Sequence, residues 1–120
     1  MDHLFFYLGL AFILTHESDA IKCEEWTIFP GTAQLSYNLG YIVFVAMHVP
    51  LYAIIFWGLF ASGKGANEAM VMGTDIFFIV HVFLHLLLYR HPKNQFKSVL
   101  SWVIIVGAGV CGALDLLLGF

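Results

Sequence analysis

Two histidines, His81 and His85, stand four residues apart inside an apolar run. On a helix that spacing stacks both imidazoles on one face, where they can share one metal ion. A second polar group, His16-Glu17-Ser18-Asp19, closes another apolar run, and His48 and Asp75 lie alone inside apolar stretches. Ionisable side chains at membrane depth cost a few kcal/mol each on insertion scales, so they usually face a bundle interior and carry function. Imidazoles mixed with carboxylates suit zinc, iron or copper. The expected metal ligands are His16, His48, His81, His85 and Asp75. Asp75 would act either directly or as a carboxylate that orients an imidazole. Glu17 and Asp19 are the candidate catalytic residues, because a carboxylate beside a metal-bound water can serve as general base.

The elements that must position these groups follow from composition. Of 120 residues, 61% are hydrophobic and 11% charged, against about 25% charged in a soluble domain. Mean hydropathy is +0.88. An ordinary soluble domain is excluded. Five Lys+Arg against eight Asp+Glu leave no basic patch for nucleic acid. A membrane helix needs roughly 20 apolar residues. Four spans are predicted, at about 4–24, 37–60, 66–89 and 98–119. The fold class is therefore all-α, a four-transmembrane-helix bundle, with residues 1–120 forming a single integral membrane domain. The first apolar run, Leu4–Thr15, would reach only about 18 Å as a helix, so that helix must continue through His16 and Asp19. Pro50 removes a donor beside His48 and is expected to widen the bundle there. Ala108 with Gly112, and Gly109 with Ala113, are small pairs that let helices approach closely.

Lys22, Arg90, Lys93 and Lys97 fall at one end of these spans and Lys64 at the other. The positive-inside rule then puts the first end in the cytoplasm and both termini on the non-cytoplasmic side. A bacterial inner membrane is the expected location. The opening Met-Asp-His lacks the basic start of a signal peptide. Trp26, Trp57, Trp102, Tyr37 and Tyr89 lie near span ends, as an interfacial aromatic belt requires. Rises of about 1.5 Å per residue place His16, His48, His81 and His85 in the cytoplasmic half of the bundle. His3 and His91 are expected in solvent, Asp115 at a cap or in water, and Glu24 and Glu25 on the cytoplasmic surface. Cys23 and Cys111 do not suggest a disulfide framework.

Zinc is the expected cofactor, with iron or haem as the alternatives. A catalytic zinc keeps one position open for a water that attacks an ester or amide. In a membrane this points to a hydrolase acting on a lipid or another apolar substrate. In ligand type the set resembles the zinc-binding intramembrane hydrolases of the ceramidase and adiponectin-receptor class. They use three histidines and an aspartate, with a His-x-x-x-His on one helix, but have seven spans. Two further classes remain: a bis-His haem electron-transfer protein, and a non-catalytic scaffold or proton or ion pathway. No span carries the paired Glu-x-x-His of ferritin-like di-iron sites. No lysine lies deep enough to hold retinal. Membrane lipids are the expected partners, with no nucleic acid. The small loops leave room for a homo-oligomer or a partner membrane protein.

Across most of its length the chain resembles a family of small bacterial membrane proteins of unknown function. The likeness rests on Thr15-His16-Glu17-Ser18-Asp19-Ala20 followed by Glu25-Trp26. It continues at His48-Val49-Pro50 and at the Asp75, His81 and His85 segment. This resemblance implies a small helical membrane protein and supplies no activity.

Overall fold

Ser36, Asn67 and Ser98 each stand just before a long apolar run. Each side chain accepts a hydrogen bond from the backbone N–H three residues on: Leu39 at 3.3 Å, Met70 at 3.2 Å and Ser101 at 3.0 Å. Such caps satisfy a donor that the first helical turn leaves unpaired. The computed structural model describes residues 3–119. Its helices are α1 Leu4–Lys22, α2 Tyr37–Phe60, α3 Glu68–Leu87 and α4 Val99–Leu118. A short 3-10 turn, Glu25–Thr27, follows α1, and the described residues contain no strand. All four helices are long and apolar enough to cross a membrane. The expected all-α, four-helix architecture is what the chain adopts.

α1 has no side-chain cap of its own. Asp115, near the end of α4, supplies one from outside: its Oδ1 accepts from Phe6 N at 3.2 Å. Asp115 is thus buried rather than water-facing.

α4 is the hub. α1 and α3 each pack along it and touch each other far less. Glycines make the approach of α3 close. A Cβ at Gly112 would stand 2.6 Å from the backbone oxygen of Asp75, and one at Gly109 would run into Val82. Phe6, Ile13, Phe78 and Ala108 fill the interface. These small residues place the polar faces of α1 and α3 side by side.

α2 lies at the margin. Only Gly40 and Leu59 are buried along it, and Pro50 sits on its exposed side in an unbroken helix. A cavity of about 70 Å³ lies between α1, α2 and α3, lined by Ile13, Glu17, Leu51, Tyr52 and Phe77 among others. Trp26 departs from the expected belt. It is only 3% exposed, because Tyr37, Tyr41 and Phe44 of α2 surround its ring.

Candidate metal centre

His81 and His85 project from one face of α3, and His16 comes from the last third of α1. Their rings pack edge to face, with centroids 4.5 Å apart for His16–His81, 4.9 Å for His16–His85 and 4.5 Å for His81–His85. The fourth member is Glu25. After α1 ends, Glu24 takes a positive φ of 53°, a left-handed conformation that is uncommon outside glycine. Glu24 is held there from two sides: Tyr37 Oη donates to its carboxylate at 2.7 Å and Gln95 Nε2 at 2.9 Å. The turn folds the chain back and points the Glu25 side chain at His16 and His85.

One ligand atom from each of His16, Glu25, His81 and His85 falls within 4.8 Å of the others, and all four residues are buried. Glu25 Oε1 lies 3.4 Å from His16 Nε2 and 3.1 Å from His85 Nε2. His85 Nε2 is 3.2 Å from His81 Nε2. A tetrahedral zinc with bonds of about 2.0–2.1 Å separates its ligand atoms by about 3.3 Å. Three of the separations, 3.1, 3.2 and 3.4 Å, lie close to that value, and the full set stays within 4.8 Å. Two imidazole lone pairs facing each other at 3.2 Å repel unless a proton or a cation stands between them. This buried His/Glu group could therefore hold a metal ion.

Aromatic rings close the centre. Phe96 stacks on His16 and meets His85 edge-on, Phe29 covers His85, and Phe77 lies against His81. Burial alone would raise the Glu25 carboxyl. The hydrogen bonds from His16 and His85 outweigh it and hold the group down at about 2. His16 Nδ1 and His81 Nδ1 are buried with no hydrogen-bond partner among the described residues.

The other expected site residues lie elsewhere. His48 is not in the cluster. Its Nε2 meets Glu17 Oε2 at 2.8 Å, and its Nδ1 donates to the Phe44 carbonyl at 2.5 Å. Both ring nitrogens face acceptors, and the His48–Glu17 contact ties α2 to α1. Glu17 points toward α2 because it follows His16 by one residue, about 100° around the helix. Asp19 is a helix tie. Its Oδ2 accepts from Ser101 Oγ at 2.5 Å and its Oδ1 from the Cys23 thiol at 3.8 Å. Asp75 is fully buried near the middle of α3 and lines, with His3 and Asp115, a cleft that opens toward the other end of the bundle. Six residues before His81, it stands about 9 Å lower and on another face. His3 is not free in solvent: it contacts Asp115 and Glu68.

Glu25, expected on the surface, is 3% exposed. The signal that could have found it is the short Glu25-Trp26 segment. That pair is only a partial signal, since the turn that buries it is set by Tyr37 and Gln95 from distant parts of the chain.

A family model described as a family of unknown function, DUF6713, matches residues 2–120. The chain belongs to this family. No curated protein and no solved structure matches this DUF6713 chain.

The Asp19–Ser101 bond gives a separate handle on this DUF6713 fold. Ser101→Ala leaves a carboxylate oxygen without its donor. It is expected to cost about 1–3 kcal/mol of stability while leaving the His16, Glu25, His81 and His85 cluster intact. Thermal unfolding in detergent, run beside metal content, checks both halves of that expectation.

Proposed function

We propose that this protein is an intramembrane zinc protein whose ion is held by His16, His81, His85 and Glu25. The carrying observation is that ligand atoms of three histidines and one carboxylate lie within 4.8 Å of one another, with three of the contacts at 3.1–3.4 Å, inside a phenylalanine-walled site. Three neutral imidazoles and one carboxylate are donors that zinc takes readily. A bis-His haem fits less well, because it needs two imidazoles on opposite sides of a broad flat ring. Here a third imidazole and a carboxylate occupy that space. Lys22, Arg90, Lys93 and Lys97 flank this end of the bundle, which supports a cytoplasmic side for the centre.

A second reading, hydrolysis of a lipid or other apolar substrate, is favoured by the cavity between α1, α2 and α3, whose Phe77 also lies against His81. That cavity is almost wholly apolar in lining and carries one carboxylate, Glu17, next in the chain to His16. Zinc would supply a Lewis acid for the scissile carbonyl. Glu17, bonded to His48, would take the proton of the attacking water.

The test is metal content and visible absorption of the detergent-purified protein. About one zinc per chain with no Soret band is the expected result. A metal-free protein, or one with a Soret band, would overturn the zinc reading. The hydrolase reading adds a stricter demand. Zinc-loaded protein must release fatty acid from a long-chain ester or amide, and Glu17→Gln must abolish that release. No turnover of either substrate sinks the hydrolase and leaves the zinc centre standing.

A further inference from the structure

The cleft at the other end of the bundle holds a second set of ionisable groups that the metal centre does not use. Glu68 begins α3, with its side chain 79% exposed. Both its carboxylate oxygens lie 3.1 Å from His3 Nε2. His3 Nδ1 is 2.8 Å from Asp115 Oδ2, and the Asp115 side chain is 2% exposed. Asp75, with no exposure at all, lies next to Asp115 in the same cleft. Both Asp75 oxygens are buried without a hydrogen-bond partner. Two carboxylates cannot donate to each other, and an unpaired buried carboxylate is strongly disfavoured. One proton between Asp75 and Asp115 removes both problems, as in any closely placed carboxyl pair.

We propose that Glu68, His3, Asp115 and Asp75 form a proton relay from the surface into the bundle, ending on a proton shared by the two aspartates. The groups are ordered by depth, and each is in reach of the next. The other titratable neighbour of Asp75 is Cys111 of α4. Capping of α1 accounts for Asp115 Oδ1, but it gives no reason for Asp75 to be there. The steps balance without any redox partner. When the aspartate pair has lost its proton, His3, protonated on both nitrogens, gives its Nδ1 proton to Asp115 Oδ2, and that proton is then shared with Asp75. The neutral ring then turns by half a revolution, so that its bare nitrogen faces Glu68 and takes the next proton from that carboxyl. Burial by itself would lower the His3 imidazole. Its bonds to Asp115 and Glu68 outweigh burial and raise it above the ordinary histidine value, which suits the doubly protonated resting ring.

Infrared spectroscopy of the full chain in liposomes tests this independently of any metal. A protonated carboxyl stretch at neutral pH is expected in the wild type and is lost in Asp75→Asn, which keeps size and shape. On transfer to heavy water the band shifts as the proton exchanges. Glu68→Gln and His3→Gln are expected to slow that exchange at least about tenfold, as loss of a proton donor does, with the band amplitude retained. A purely structural cluster would leave the exchange rate unchanged. The relay is overturned if no band depends on Asp75, or if both variants exchange as fast as the wild type. Glu68 is on the surface, so its variant keeps the test decisive even if Asp75→Asn does not fold.

Discussion

His85→Ala and His81→Ala are each expected to abolish binding of the proposed zinc while leaving four helices in the membrane. Each removes one of three imidazoles whose Nε2 atoms meet at the centre. Losing a group that only orients a ligand weakens metal binding about 10–100-fold. Losing a ligand itself should exceed about 100-fold on that scale. Insertion should survive, because the mean hydropathy of α3 is 1.9 before substitution and alanine is no less compatible with a membrane than histidine. Glu25→Gln should fall between wild type and the histidine variants, since the amide keeps an oxygen donor but loses the charge. Metal content per folded chain, with helicity measured in parallel, decides the matter. Full zinc occupancy in either histidine variant would sink the site as described.

The second large effect concerns packing. Gly112→Leu should destabilise the bundle more than any surface change, because a Cβ there would already stand 2.6 Å from the backbone oxygen of Asp75. A backbone atom cannot swing aside, so α3 and α4 must separate. Overpacking by a methyl group typically costs about 1–3 kcal/mol, which is the expectation for Gly112→Ala, and leucine should cost more. Gly73→Ala is the matched control. Nothing lies within 4 Å of a Cβ at Gly73, so that change should be neutral or stabilising by up to about 1 kcal/mol. Thermal unfolding in detergent separates the two glycines. Equal stability of Gly112→Leu and wild type would mean that α3 and α4 are not packed as described.

The helices were legible because apolar runs of span length leave few alternatives in a chain this hydrophobic. The continuation of α1 through His16 followed from length alone. His81 and His85 were legible as a pair, since a separation of four residues sets both depth and direction. His16 was legible by depth. What sequence could not give was rotation of one helix against another. His48 has a depth suited to the cluster, yet it faces Glu17 across the α1–α2 gap. Asp75 sits on the same helix as two cluster histidines, and six residues were enough to turn it to another face about 9 Å away. Glu25 was hidden for a different reason. Its position depends on a left-handed turn at Glu24, clamped by Tyr37 and Gln95 from distant parts of the chain. No local pattern announces such a clamp.

The central place of α4 bears on how the molecule is made. The candidate metal centre draws its residues from α1, from the turn after it and from α3, but the surface that sets α1 and α3 in register belongs to α4. In synthesis α4 emerges after every one of those ligands. A nascent chain stopped before residue 99 would hold the complete donor set with no scaffold to align it. Loading of the proposed ion is therefore expected to follow insertion of the last helix, so that a loaded centre would certify a closed bundle.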